Sequence, residues 1–184
     1  MFNQLFRFSA NKWIDELIKI FLSVIFLCLL CPLKFNIQGD IPITLQSLAV
    51  ILVACCLGWR IGAISILIYL LLGVTGVPVF AGYSSGWEIM TGQFGGFLIS
   101  FLIAGFVVGY FSEKEKIQKP IFILSFWIVG HLIILLVGGL WLSQFSTEWW
   151  SMIKTTLPGA AIKIIVGSLL TLLLVQLISR RKLS

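Results

Sequence analysis

The sequence predicts an all-α fold: an integral membrane bundle of six transmembrane helices, forming one domain over residues 1–184 with both termini in the cytoplasm. Composition is the first observation behind this prediction, since 59% of the residues are hydrophobic, 11% are charged, and the mean hydropathy is +1.08. The second is a series of apolar stretches long enough to cross a hydrocarbon core about 30 Å thick. The third is their continuity, because a β-barrel would alternate apolar and polar residues along each strand.

The predicted spans follow one another along the chain. They are Leu17 to Leu33, Ile43 to Gly58, Ile61 to Val77, Gln93 to Phe111, Ile121 to Leu142 and Ala160 to Ile178. Residues 1–16 combine charges of both signs with aromatic side chains, which predicts an interfacial helix or a solvated arm. These charges, and the lack of a small-residue cleavage site after the first apolar run, argue against a removable signal peptide.

The basic residues set the orientation, because Lys and Arg are retained on the cytoplasmic side of a membrane. With both termini inside, the cytoplasmic set is Arg7, Lys12, Lys19, Arg60, Lys114, Lys116, Lys119, Arg180, Arg181 and Lys182. Lys34 and Lys154 fall outside, and Lys163 lies within the sixth span. This topology accounts for the net charge of +6. A nucleic-acid partner is excluded because the basic residues are dispersed and do not share one soluble face.

Motifs of an enzyme or of a self-powered pump are missing from the sequence. There is no phosphate-binding loop, no H-E-x-x-H and no pair of carboxylates within the spans. Cys28 and Cys31 form a C-x-x-C inside the first span, where burial predicts structural thiols. His131 is interpreted as an interhelical hydrogen-bonding residue, and Ser168 cannot share a helical face with Lys163 as a nucleophile would require. We therefore expect neither an enzyme nor a cofactor or metal site.

Polar residues mark the outer end of the second span. Pro42 suits the first turn of a helix, so Thr44 and Gln46 enter the membrane from the outer side. A Gln about one turn inside a lipid-embedded helix must face protein, water or a ligand. Thr44 and Gln46 are therefore candidate binding residues, with an interhelical hydrogen bond as the alternative.

The connection between the third and fourth predicted spans, from Gly73 to Gly96, is long and rich in glycine. Glycine allows close backbone approach, and aromatic side chains supply flat apolar walls for a ligand. The candidate binding residues in this loop are Phe80, Gly82, Tyr83, Trp87 and Gln93. A capping loop over a pocket is the functional interpretation, and an interfacial aromatic belt is the alternative. The length favours the cap, because a connector needs only a few residues.

Lys163 is the most informative single residue. Pro158 and Gly159 predict that the last helix begins just before it, about one turn from the outer face. No acidic residue stands three or four positions away, so nothing local neutralises the ammonium group. Either the side chain snorkels to the interface, or it awaits an anionic group with help from the positive end of its own helix. A small carboxylate with an apolar body would satisfy both the cation and the aromatic walls.

Several segments resemble one known family. They are Pro42-Ile43-Thr44-Leu45-Gln46, Leu57-Gly58 with Arg60, Tyr69-Leu70-Leu71-Leu72-Gly73, Gly76-Val77-Pro78-Val79-Phe80-Ala81-Gly82, Gly95-Gly96, and Pro158-Gly159 with Lys163. They are similar to the BioY family, the biotin-specific substrate-binding subunits of energy-coupling factor transporters, and the resemblance covers nearly the whole chain. It implies a six-helix subunit of the cell membrane that binds biotin from outside. It also implies partners, a transmembrane coupling subunit and two cytoplasmic ATPases, besides the surrounding membrane lipid.

The chain departs from the family pattern at three places. Ala160 stands where an acidic residue usually follows Pro-Gly, and Gln93-Phe94 replaces Pro-Thr before the paired glycines. The first helix has Ser23 as its only small residue where the family shows an Ala-x-x-x-Ala patch. We expect the carboxylate of biotin near Lys163 and its rings under the loop from Gly82 to Trp87. A related vitamin, a lipoate-like acid, or a scaffold role without a ligand remains as an alternative.

Overall fold

Helices make up most of the described chain, which covers residues 8–36, 42–114 and 119–181 of a computed structural model. In chain order the helices are α1 (Lys12–Leu30), α2 (Gln46–Val74), α3 (Trp87–Thr91), α4 (Gly95–Lys114), α5 (Pro120–Leu142) and α6 (Trp149–Arg181). The mainly helical prediction is therefore confirmed. One addition is a small antiparallel hairpin of β1 (Lys34–Asn36) and β2 (Pro42–Thr44), which pairs Lys34 with Thr44 between α1 and α2.

Within the described part of the chain, four helical segments are long and apolar enough to cross a membrane. They are Gln46–Val74, Gly95–Glu113, Pro120–Leu142 and Trp149–Leu177. A protein with several such helices is a multi-pass membrane protein. The first predicted span corresponds to α1, whose early turns carry Lys12, Asp15, Glu16 and Lys19.

One face of α1 packs into the bundle, and this face is polar near the helix start. Asp15, Lys19, Ser23 and Leu27, spaced four apart, are its buried residues. The Lys19 ammonium donates to the Asp15 carboxylate at 2.6 Å, the one ion pair among the described residues. The opposite face is apolar and exposed, as a lipid-facing surface would be. Hydrogen bonds within α1 therefore compensate the burial of two charged groups.

Gly58 divides α2 into two arms that fold back on each other. Its backbone has φ 79° and ψ −180°, a conformation open essentially to glycine alone. The Gln46 amide and the Tyr69 hydroxyl lie 2.6 Å apart, although a straight helix would separate them by about 35 Å. A Cβ atom on Gly62 would lie 3.0 Å from the Ala54 Cα, so the arms also pack closely. The arms correspond to the second and third predicted spans, with the break at the predicted place.

The prediction that the last helix begins at Pro158 and Gly159 is wrong. Helix α6 begins at Trp149 and carries Pro158 inside it. Proline costs one backbone hydrogen bond within a helix but does not always end it. Lys163 therefore lies several turns from the start of its helix, and the positive end of the helix dipole does not act on it.

Glycines and one tryptophan set the spacing of the remaining helices. The Trp127 side chain on α5 is fully buried, and its indole donates to the Thr171 hydroxyl on α6 at 3.1 Å. A Cβ atom on Gly167 would overlap this indole, so glycine makes room for it. A Cβ atom on Gly109 of α4 would lie 2.6 Å from the Trp59 backbone. These close approaches bring α2, α4, α5 and α6 around a common space.

Candidate ligand-binding cavity

A cavity of about 400 Å³ lies where β1, β2, the long loop and four helices meet. Its polar lining residues are Lys34, Thr44, Gln46, Ser47, Ser84, His131, Thr156 and Lys163. Its aromatic lining residues are Phe80, Phe94, Phe97 and Phe101. A largely apolar wall with a few polar groups and a volume of this size is typical of a small-molecule site.

Lys163 supplies a cation to the cavity from α6. Its Nζ donates a hydrogen bond to the Ser47 hydroxyl on α2 at 3.0 Å, and the side chain is half-buried. Among the described residues that line the cavity none is acidic, and Lys34 adds a second cation. The cavity is therefore electrostatically suited to an anionic group. The sequence predicts an ammonium group without a local acidic partner, and the structure places this group in the cavity wall.

Gln46 belongs to a buried hydrogen-bond chain. Its Nε2 donates to the Tyr69 hydroxyl at 2.6 Å, and that hydroxyl donates to the Val79 carbonyl at 3.2 Å. This bond uses one of the two Nε2 hydrogens, so one N–H donor remains for a ligand, and the Gln46 side-chain oxygen is the group that can accept a hydrogen bond from it. The sequence left an interhelical bond as the alternative for Gln46, and the structure combines such a bond with a place on the cavity wall.

Phe80 is held against this chain at the edge of the cavity. Its ring meets the Tyr69 ring edge-on at a centroid distance of 5.8 Å. A Cβ atom on Gly73 would overlap the Phe80 ring, so glycine at that position is required for the ring to occupy its site. Phe80 is 1% exposed, which gives a rigid aromatic wall.

The long loop contacts the cavity through some of its residues. A bridge between Phe80 and Ser84 closes a tight turn, and the Gly82 N–H donates to the Pro32 carbonyl at 2.9 Å. Trp141 of α5 anchors the far end of the loop by donating to the Gly92 carbonyl at 3.0 Å. The loop residues on the cavity wall are Phe80, Ala81, Ser84, Ile89 and Phe94.

The sequence-predicted binding residues divide into two groups. Thr44, Gln46, Phe80 and Lys163 line the cavity together. Gly82, Tyr83, Trp87 and Gln93 do not line it, and all four are exposed to solvent. Tyr83 and Trp87, at 65% and 64% exposed, could contact a ligand only after the loop moves.

Other lining residues were not among the sequence-predicted binding residues, and they include Ser47, Phe97, Phe101 and His131. Ser47, Phe97 and Phe101 lie in apolar helices, where the sequence pattern does not show which face meets a cavity. The sequence indicated an interhelical hydrogen bond for His131, and this prediction is wrong. Its Nδ1 bonds to the Trp127 carbonyl of its own helix at 3.0 Å. One feature of the sequence could have identified His131 as a lining residue: it is a lone histidine in an apolar span.

Fold and cavity together define a class: a multi-pass helical membrane protein with a candidate small-molecule site enclosed among its helices. Comparison with known proteins gives the family. The model described as the BioY family matches residues 3–180 of this chain. This chain belongs to the BioY family, which confirms the resemblance seen in the sequence.

Individual relatives agree with this assignment. "Biotin transporter BioY2" of Lactococcus lactis subsp. cremoris is 42% identical over 143 residues, covering 77% of this chain and 77% of that protein. "Biotin transporter BioY" of Rhizobium etli is 33% identical over 158 residues, covering 80% of this chain and 84% of that protein. These relatives are named as transporters, so the prediction that this chain is not an enzyme is confirmed as well.

A solved structure matches the fold. It is the crystal structure, at 2.1 Å, of the S-component for biotin from an ECF-type ABC transporter. The TM-score is 0.77 at 26% sequence identity, and the match covers 91% of this chain and 94% of that chain. The similarity thus extends over nearly all of both chains.

Proposed function

We propose that this chain is the substrate-capture subunit for biotin uptake. It binds biotin on the extracytoplasmic side of the cell membrane and releases it inward when coupled to an ATP-driven module. The chain crosses the membrane six times with both termini in the cytoplasm, the two arms of α2 counting as two spans. The relatives named as biotin transporters and the matching biotin S-component support this proposal.

One observation carries the choice of ligand: the Lys163 ammonium lies in an apolar, aromatic cavity with a hydroxyl as its hydrogen-bond partner. A carboxylate on a small apolar body complements this arrangement, because a charge-assisted bond is stronger than the one to Ser47. The biotin carboxylate binds Lys163, and its fused rings lie among Phe80, Phe97 and Phe101. Thr44 and Gln46 contribute polar contacts.

The loop completes the site. Gly82, Tyr83, Trp87 and Gln93 close over the bound ligand, which would bring exposed aromatic rings against it and exclude water. Support for this part comes from the short backbone bridge that positions the neighbouring Ala81 and Ser84 on the cavity wall. The partners that complete the transporter are a transmembrane coupling subunit and two cytoplasmic ATPases.

Titration calorimetry of the purified protein tests the ligand assignment. Lys163→Ala should weaken biotin binding by more than tenfold, which is about 1.4 kcal/mol or more. Lys154→Ala is the matched control, because Lys154 is an exposed lysine on the same helix and does not line the cavity. Biotin methyl ester should bind the wild type as weakly as biotin binds Lys163→Ala. Equal binding of the ester and the acid would contradict the placement of the carboxylate.

A second candidate ligand is a lipoate-like acid or a related vitamin. Ala160 favours it, because this position contributes only a methyl group to the cavity wall where the family usually has an acidic residue. Competition of labelled biotin by such acids separates the two candidates. A scaffold role without any ligand predicts that none of these acids raises the thermal stability, whereas a ligand of the folded state must raise it.

A further inference from the structure

His131 is held in one orientation by its neighbours on α5 and α6. Its ring stacks on the Trp127 indole at a centroid distance of 5.9 Å with 26° between the planes. The indole is fixed in turn by its hydrogen bond to Thr171, whose own hydroxyl donates to the Gly167 carbonyl at 2.8 Å. A ring held in this way presents its remaining nitrogen in a defined direction.

The proton on this ring can be assigned from the hydrogen bond. The Nδ1 atom lies 3.0 Å from the Trp127 carbonyl oxygen, and a carbonyl can only accept. Nδ1 therefore carries the proton, and in the neutral imidazole Nε2 is an acceptor. The side chain of His131 lines the cavity while the residue is only 3% exposed.

The Nε2 atom has no hydrogen-bond partner among the described residues. A buried acceptor without a partner is unfavourable, and each such group in a native fold needs an explanation. A ligand that fills the cavity and offers an N–H would remove this deficit. A carboxylate would not, because an ionised carboxylate only accepts.

We propose that His131 is a specificity-determining residue whose Nε2 accepts a hydrogen bond from an N–H group of the ligand. The inference rests on the proposed function, in which the ligand has an acid at one end and a ureido ring with two N–H groups at the other. Lys163 on α6 selects the acid, and His131 on the neighbouring helix α5 selects the ureido group. An acid of similar size without an N–H, such as lipoate, leaves Nε2 unpaired and binds more weakly.

Calorimetry on the full-length protein in lipid nanodiscs tests this role, with biotin and its two ureido N-methyl derivatives as ligands. The wild type should bind at least one methylated derivative about tenfold or more weakly than biotin. His131→Phe keeps a planar ring of similar size but removes the acceptor. The His131→Phe variant should bind biotin about tenfold more weakly than the wild type. It should also lose the preference for biotin over the methylated derivative.

Ser65→Ala is the matched control, because the Ser65 hydroxyl is also buried, has no hydrogen-bond partner in the described part of the chain, and does not line the cavity. The affinity of this variant for biotin, and its preference for biotin over the methylated derivatives, should equal those of the wild type. If the wild type binds both methylated derivatives with the same affinity as biotin, this result alone overturns the role of His131, and no variant is needed. A preference that survives in His131→Phe overturns it too, since shape alone would then explain the discrimination. A wild type that binds no biotin overturns the proposed function and this inference together.

Discussion

The Lys163 ammonium lies 3.0 Å from the Ser47 hydroxyl, although 116 positions separate the two residues along the chain. This bond connects α6 to the first turn of α2 across the cavity wall. A neutral hydroxyl stabilises an ammonium group less than a carboxylate does. The bond therefore positions the cation and leaves it able to bind an acid more strongly.

Ser47→Ala tests this positioning. Without the hydroxyl, the Lys163 side chain is free to leave the cavity wall, so biotin affinity should fall about two- to tenfold, less than in Lys163→Ala. Titration calorimetry measures the change. Ser143→Ala is the control, because the Ser143 hydroxyl donates to the Leu140 carbonyl at the end of α5 and the residue is exposed. Unchanged affinity in Ser47→Ala would mean that Lys163 holds its place without the hydroxyl.

Gly58→Ala should strongly destabilise the protein. The new side chain would occupy a backbone conformation reserved for glycine, a strain of about 1–3 kcal/mol, and would also clash with the Glu113 side chain. Unfolding in mixed micelles measures the loss. Gly76→Ala separates the two causes, because Gly76 also has a positive φ of 104° but no atom of the described residues lies within 4 Å of its Cβ position. The Gly58 variant should lose more stability, and an equal loss would show that the clash is relieved at no cost.

Tyr69→Phe should lower the free energy of unfolding by about 1–3 kcal/mol, because it leaves the buried amide nitrogen of Gln46 without its acceptor. Biotin affinity should fall too, since the Gln46 side chain is then free to rotate. Tyr83→Phe removes the same hydroxyl from an exposed ring, so its stability should stay within about 0.5 kcal/mol of the wild type. Thermal unfolding with and without biotin gives both quantities. If Tyr69→Phe matched the control, the hydrogen-bond chain would contribute little.

Acidification should weaken the start of α1, which lies ahead of the first predicted span. The hydrogen bond from Lys19, together with that from the Phe8 N–H, lowers the pKa of Asp15 below its ordinary value of 3.8. A lowered native pKa gives stability that is present above the unfolded pKa and lost as the pH falls through the native one. Stability should therefore decline from about pH 5 downward.

The Asp15→Asn variant isolates this contribution to the pH profile. It should be less stable than the wild type at pH 7, and the difference should shrink toward pH 3. Thermal unfolding measured across this range provides the comparison. Glu16→Gln is the control, because Glu16 is the next residue on the same turn and forms no ion pair among the described residues. A difference between the Asp15 variant and the wild type that stays constant with pH would show that the carboxylate charge is not the cause.

Local sequence patterns predicted the membrane helices, the break between the two arms of α2, and Lys163 as a candidate binding residue. Apolar runs identify membrane helices because the bilayer admits only segments whose backbone groups bond internally. The break at Gly58 was predictable because the apolar run is interrupted there by Gly58 and Arg60. Lys163 stood out because an unpaired cation in an apolar helix is unfavourable unless something compensates it.

Only the tertiary structure decided how these helices are rotated and where they meet. The Lys163–Ser47 and Gln46–Tyr69 bonds depend on which faces of the helices approach each other, and a uniformly apolar helix carries no pattern that specifies its inward face. The start of α6 was missed because packing of its first turns overrides the tendency of Pro158 to end a helix. The sequence by itself determined the solvent and the family, and it led to the proposal that the ligand is an acid. Packing among distant helices determined the cavity and the place of His131 in it.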